Sequence, residues 1–267
     1  MTAPAPRAPW PIGRVHWLGI ATLYRREAKR YLRWWFEFIT QPLVSTGLFV
    51  LVFHLALGPE GDEGAGEAAF TYLLPGLLIY SLLMQAAAST LYSLVFDKIE
   101  GALADILMPP LTPGEFAAGY LMSALSAAAA TAAIVLPIVL LAGLGLPADP
   151  LTVAVFATLG CAELALCGIA IATVAKKWDQ AEAFVSFGLT PAAFLSGVFA
   201  PVSALPDPLP AIIMLNPFHY IVDGFRAGYL GQHDNPVWLN LVVCLAVTAG
   251  MLGLCLSMLR RGVGIRA

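Results

Sequence analysis

Apolar residues along this chain come in runs too long for the core of a small soluble domain, and short polar stretches separate them. Six runs, at about 38–58, 69–96, 116–146, 151–175, 181–199 and 237–259, are near the roughly 20 residues needed to cross a hydrocarbon core. Between the fifth and the sixth the pattern changes. Residues 190–231 are apolar, yet Pro191, Pro201, Pro206, Pro208, Pro210 and Pro217 forbid one continuous helix, because each removes a backbone donor and clashes with the preceding turn. Asp207 followed by Pro208 reads as an N-cap with proline at the first helical position, starting a short helix that ends near Asn216-Pro217. A second helix follows over 218–230. At about 1.5 Å per residue these are roughly 13 and 20 Å long, too short for a core about 30 Å thick. The pattern predicts a re-entrant helical hairpin over 201–231, packed against protein so that its irregular backbone is satisfied.

The N-terminal part follows another rule. Residues 1–15, with four prolines, read as a flexible leader, and 16–37 as an amphipathic helix. On a helical wheel Arg25, Arg26, Lys29, Arg30 and Arg33 share one arc, with Trp17, Ile20, Tyr24, Ala28, Tyr31, Leu32 and Trp35 opposite. Aromatics at headgroup level and cations that attract anionic lipid place it on the cytoplasmic surface. Packing of the same helix on soluble protein is the alternative. The expected fold is an all-α membrane protein with six transmembrane helices over 38–259, an interfacial helix before them, the hairpin before the last span and a basic tail at 260–267. Gly119, Ser123 and Ala127 recur every four residues in the third span, which permits close helix contact.

Composition agrees with this class: 59% of residues are hydrophobic and only 12% charged, against about 25% in soluble domains. The net charge of −3 matters less than its distribution. With six spans, 13 of the 14 lysines and arginines fall on one side, and only Arg226 is left over. The positive-inside rule then puts both termini in the cytoplasm and the hairpin outside. No short n-region and small-residue cleavage site mark a removable signal. The four cysteines lie in apolar spans without C-x-x-C or histidine spacing, so they read as small hydrophobes, and no metal or redox role is expected.

Such a layout suits a channel, a carrier, an intramembrane enzyme or the membrane half of a pump. Asp207, His219, Asp223 and His233 lie in the external segment, but no nucleophile–base pair accompanies them, so catalysis is not expected. Glu163 is the one ionisable residue near the middle of a span, where a charge costs about 2.5 to 3.5 kcal/mol. It reads as a proton or substrate site, or as a neutral carboxyl bonded inside the bundle. In the loop after the second span, 97–107 reads as a short helix stopped by Pro109-Pro110. Lys98, Glu100 and Asp105 face water there, and Ile99, Leu103, Ile106 and Leu107 form an apolar side suited to a cytoplasmic partner. A plain solvated linker is the alternative.

Four segments carry a resemblance: EGALADILMPPLTPGEFAAGY after the second span, LTPAAFLSGVFAPVSALP ending the fifth, LNPFHYIVDGFRAGYLG after it, and the tail RRGVGIRA. In their order the chain resembles the type-2 permeases of ATP-binding-cassette exporters, which move nodulation lipo-oligosaccharides, O-antigen and teichoic acid glycans, and drugs. The resemblance implies a six-helix permease of the bacterial inner membrane that pairs as a homodimer, with the substrate path between the copies. It implies a coupling helix at 97–108, where Lys98, Glu100, Gly101, Asp105 and Leu107 meet a cytoplasmic ATPase present in two copies, and an exit gate at Asn216, Pro217, Tyr220 and Arg226. The chain carries no G-x-x-x-x-G-K-[ST] phosphate loop. ATP and magnesium would therefore belong to the partner, with no cofactor and no nucleic acid expected here. Trp34, Trp35, Tyr72, Tyr80 and Tyr92 are compatible with sugar-binding grooves and equally with interfacial belts. The reading is an exporter permease for an amphipathic, lipid-linked or glycan-type substrate or a drug. The runner-up is a stand-alone channel or proton-coupled carrier using Glu163.

Overall fold

The computed structural model describes residues 15–57, 65–108, 111–199, 202, 206 and 208–264. Helices dominate the described residues: α1 (Trp17–Arg33), α2 (Trp35–Leu57), α3 (Ala65–Ile99), α4 (Leu103–Leu107), α5 (Pro113–Leu141) and α6 (Pro150–Val174). They are followed by α7 (Trp178–Phe184), a π-helical turn (Val185–Leu189), α8 (Thr190–Phe194), α9 (Leu209–Leu215), α10 (Pro217–Leu230) and α11 (Val237–Arg261). Among the described residues five helices are long and apolar enough to cross a membrane: Trp35–Ala56, Ala68–Ile99, Pro113–Leu141, Pro150–Val174 and Val237–Arg261. The long apolar runs thus became helices because every backbone donor finds its partner within the segment.

The remaining run, expected as one helix over 181–199, is three pieces. Pro191 has no N–H for the carbonyl four residues earlier, and the ladder slips to the wider spacing at Val185–Leu189, where the Thr190 N–H bonds to the Val185 carbonyl. Helical structure stops at Phe194, so this run is shorter than expected. The third run also ends early, at Leu141, followed by Gly143 at φ 104. The interfacial helix expected over 16–37 breaks at Trp34 (φ −97, ψ 33), and Trp35 onward continues as α2. The leader to residue 14, Asp207 with its N-cap role, and residues 265–267 of the tail lie outside the described residues.

Helix ends are set by local chemistry. Thr112 caps α5 in a reciprocal pair with Glu115, with Pro113 at the first helical position. The same carboxylate accepts the His16 N–H at 2.6 Å, which pins the start of α1 to the start of α5. Asn216 caps α10 from Pro217, and Gly231 (φ 71) closes it in the left-handed conformation. The helix from near Pro208 to Asn216 and the second one from Pro217 therefore stand close to where the prolines placed them.

At the centre α3 and α6 pack along each other, with α5, α10 and α11 around them. Two hydrophobic clusters fill the bundle. One joins Leu74, Leu78, Phe156, Leu164, Ile221 and Phe225, and the other lies toward the opposite end around Leu91, Val95, Phe116, Tyr120, Leu166 and Ile169. Small residues bring the helices close. A Cβ on Gly224 would fall 2.3 Å from the Phe156 ring, so α10 approaches α6 only because that atom is missing. Gly119, Ser123 and Ala127 are all buried, and Leu23 of α1 fills the space above Gly119.

Candidate coupling site and proline-broken hairpin

The polar residues of α1 do not form one solvated arc. Ile20, Leu23 and Glu27 are its buried stripe, seven residues of the helical period that bring Arg26 and Arg30 against the end of α3. There Asp97, 1% exposed, accepts from Arg26 Nη2 at 2.6 Å and Nη1 at 2.9 Å, and from Arg30 Nη2 at 2.5 Å. Glu27 accepts from Arg26 Nη1 at 2.9 Å and from the Ser93 hydroxyl. Arg30 also donates to the Ser93 carbonyl at 2.9 Å, and Tyr120 of α5 reaches Asp97 at 3.4 Å. Two cations and two carboxylates thus balance at a site that buries both acids and leaves the arginines partly exposed. Burial pushes the Glu27 carboxyl upward, against the pull of Arg30, Ser93 and Arg26, while hydrogen bonding to Asp97 holds the Arg26 guanidinium above its ordinary value. The single arc of five cations is therefore corrected: Arg25, Lys29 and Arg33 are exposed, and Arg26 and Arg30 face protein.

The loop helix is corrected too. The expected helix over 97–107 is divided, because α3 continues to Ile99 and Gly101, at φ 75, turns the chain before α4 begins at Leu103. Asp97 and Lys98 therefore belong to α3 and point inward. Lys98 does not face water. Its Nζ donates to the carbonyls of Ala172, Thr173 (2.8 Å) and Ala175 (3.2 Å) at the end of α6. Glu100 and Asp105 are exposed as expected, Leu103 is buried and Ile106 is half-buried; the Leu107 side chain lies outside the described residues. Between α1 and α4 runs a groove of about 430 Å³, lined by His16, Leu18, Thr22, Arg26, Asp105 and Ile106 among others.

At the other end, Asn216 donates through Nδ2 to the carbonyls of Ala192 and Leu195 and accepts the Phe218 N–H at 3.1 Å. It ties α8 to α10. The Tyr220 hydroxyl donates to the Met214 carbonyl at 2.9 Å, which closes the corner made at Pro217. Arg226, 2% exposed, lies over the Tyr72 ring at 3.7 Å and donates to the Tyr72 hydroxyl at 2.7 Å. It also donates to the carbonyls of Gly197 (3.1 Å) and Val198 (3.3 Å). Gly76 makes room for that backbone: a Cβ there would meet the Val198 oxygen at 2.5 Å. The partner of this lone cation is an aromatic ring and two carbonyls, and no carboxylate among the described residues bridges it.

Asp223 accepts from the Asp234 and Asn235 N–H groups and from Asn240 Nδ2, at 2.7, 2.9 and 2.8 Å, and so fixes the turn before α11. His219 Nδ1 meets the Ser196 carbonyl at 3.1 Å and Nε2 meets the Asn235 amide. These are positioning bonds with no nucleophile beside them, and His233 is exposed. Glu163 is buried in α6, and its Oε2 has no hydrogen-bond partner among the described residues. No three His, Cys, Asp or Glu residues converge for a metal among the described residues. Trp34 and Trp35 are exposed, whereas Tyr80 stacks on Phe194 and Tyr92 on Trp178.

A five-helix apolar bundle, an α1 clamped to it by ion pairs and a proline-broken hairpin correspond to a known protein family, whose ABC-2 type transporter model matches residues 19–230. The chain belongs to the ABC-2 type transporter family. The inner membrane transport permease YadH of Escherichia coli K12 is 25% identical over 253 residues, 95% of this chain and 99% of that protein. Nodulation protein J of Rhizobium leguminosarum bv. viciae is 25% identical over 262 residues, 94% of this chain and 96% of that protein. A third relative, the probable multidrug ABC transporter permease YbhR of Escherichia coli K12, is 27% identical over 195 residues, 72% of this chain and 53% of that protein. The matched segment holds the Asp97 cluster, α4 and the hairpin together, and makes this chain the membrane-embedded permease part of an ABC transporter.

The residues whose role sequence reasoning missed are Glu27, Ser93, Asp97 and Tyr120. Glu27 was legible as the one acid inside a run of five bases, in register with Ile20 and Leu23. Ser93 and Tyr120 carry no such signal.

Proposed function

We propose that this chain is the permease subunit of an ABC exporter of the inner membrane, moving an amphipathic, lipid-linked or glycan-type molecule or a drug outward, driven by a separate ATPase. The observation that carries this reading is the groove between α1 and α4. Exposed Asp105 lines it and exposed Glu100 lies on the turn before α4, while α1 is held by Arg26 and Arg30 on Asp97. A rigid wall opposite a five-residue helix on a glycine turn is a surface that a motor can grip and move. Among the relatives' names, a transport permease supports transport and a probable multidrug permease supports the drug class.

In this reading the chain crosses six times, the fifth crossing being the run from Trp178 through the π turn and α8. Both termini are cytoplasmic, two copies pair, and the α9–α10 hairpin at 201–231 closes the external exit, with Asn216, Pro217, Tyr220 and Arg226 holding its shape. ATP and magnesium bind the partner. The deciding experiment is purification of the full chain from its native membrane, with mass spectrometry and ATP-hydrolysis assay of the subunits that accompany it. An ATPase should co-purify and should be lost on replacing Glu100 and Asp105 by lysine. Purified chain that stays alone and still transports overturns the reading. The competing stand-alone carrier is favoured by one fact, the unpartnered oxygen of Glu163, and predicts loss of transport in Glu163→Gln with the ATPase absent; the exporter tolerates that substitution.

A further inference from the structure

Lys98, in the last turn of α3 before α4, turns toward the end of α6. Its three acceptors are among the last carbonyls of α6, groups left without helical N–H partners where the chain turns extended at Ala175 (ψ 129). A cation at a helix C-terminus is favourable both as a donor and against the helix dipole. The tail after α11 joins the same place, since a Cβ on Gly264 would fall on the Thr173 carbonyl oxygen and 3.3 Å from Lys98 Nζ. Leu103, the first residue of α4, packs there with Leu94, Phe116, Thr173 and Leu259. Asp97 and Lys98 are adjacent, and they hold opposite walls: Asp97 grips α1 and Lys98 grips α6.

The far end of α6 is fixed as firmly. The Ala148 and Asp149 N–H groups donate to the carbonyls of Tyr229 and Gly228 on α10, at 3.2 and 2.8 Å. Gly160, Gly224 and Gly228 leave no gap between the two helices. Over 25 residues, α6 is about 37 Å of continuous hydrogen-bonded backbone between the two attachments.

We propose that Lys98 is a positioning residue that transmits displacement of α4 into α6, and through α6 into the α10 hairpin. α1 packs on α2 and α5, and α3 itself touches α10, so these are parallel routes; α6 is the one that Lys98 engages directly through its own hydrogen bonds. The chemistry is mechanical: three charge-assisted bonds lock α4's base to one end of a stiff helix whose other end carries the gate.

The role in transport rests on the proposed coupling to an ATPase, but the mechanical link does not, and two arms separate them. In the first, hydrogen exchange is measured by mass spectrometry on the full chain in lipid nanodiscs, comparing wild type, Lys98→Arg, Lys98→Gln and Lys98→Ala. Lys98→Gln should speed exchange of the 173–177 amides by about tenfold, a modest share of what bonds to a charged group contribute. It should also speed exchange at Ala148, Asp149 and the 232–236 turn, at and beyond the far end of α6. Lys98→Arg should restore both. Faster exchange confined to 173–177 overturns the proposal, because it makes Lys98 a local cap only. In the second arm, the native complex carrying Lys98→Gln should hydrolyse ATP at an undiminished rate and transport several-fold less per ATP. A parallel fall of both also overturns it. Should no ATPase accompany even the wild-type chain, the coupling reading fails while the exchange arm still decides the link.

Discussion

Asp97→Asn removes one negative charge while keeping the shape and one acceptor oxygen, and it leaves Arg26 and Arg30 to share Glu27 and the Ser93 carbonyl. The cost follows from the geometry. Asp97 is 1% exposed and accepts from Arg26 and Arg30 at 2.5 to 2.9 Å. Removing one partner of a fully buried ion pair costs about 3 to 5 kcal/mol. Arg26 and Arg30 keep 35% and 23% of their side-chain surface in water, and exposed pairs are worth at most about 1 kcal/mol. The substitution therefore falls between these limits, at roughly 2 to 3 kcal/mol. With about 2 to 4 °C lost per kcal/mol for a chain of this size, Tm drops by about 5 to 10 °C. The assay is thermal unfolding of purified protein in one detergent, read by tryptophan fluorescence and by loss of the monodisperse peak. Glu100→Gln, on the exposed turn three residues on, serves as the control and should shift stability by less than about 0.5 kcal/mol. If Asp97→Asn melts with the Glu100→Gln control, the cluster contributes nothing measurable and the clamp on α1 is wrong.

Two further outcomes are expected. Arg226→Ala empties the stack over Tyr72 and leaves the Gly197 and Val198 carbonyls without their donor, costing about 2 to 4 kcal/mol. Arg226→Lys should recover less than half, since an ammonium lacks the planar fork; full recovery in thermal unfolding would refute the ring-stacking account. Asp149 is held below the usual aspartate range by Thr152 and the first N–H groups of α6. Its folded pKa lies below its unfolded one, so its capping contribution is present above the ordinary aspartate pKa and is lost as pH falls through the folded value. Asp149→Ala should accordingly melt earlier than wild type at pH 7, with the gap closing near pH 3; a gap independent of pH would contradict the cap.

Much of the architecture was legible because long apolar runs admit few structures in a membrane. Asn216-Pro217 announced the corner of the hairpin, and the small residues of α5 announced a close contact. The misreadings share a cause. A helical wheel over 97–107 assumed one helix, so it mixed the last turn of α3 with a separate helix beyond Gly101 and assigned Lys98 to water. The same wheel counted five cations on α1 but could not see that an acid 71 residues later along the chain would claim two of them. Arg226, the cation left over in the charge count, finds its partner in a ring, a choice set by tertiary packing between α3 and α10. The π turn before Pro191 arises from a missing donor whose repair depends on neighbouring helices.

The length of α3 has a consequence of its own. Its 35 residues extend about 52 Å, whereas the hydrocarbon layer is about 30 Å thick. Some two-fifths of it overhangs, and Asp97 and Lys98 ride at the tip of a lever arm. A 10° swing about the midpoint carries that tip about 4.5 Å sideways, close to the rise of one helical turn. Because Asp97 fastens that tip to α1 and Lys98 fastens it to α6, such a swing draws both helices along with it.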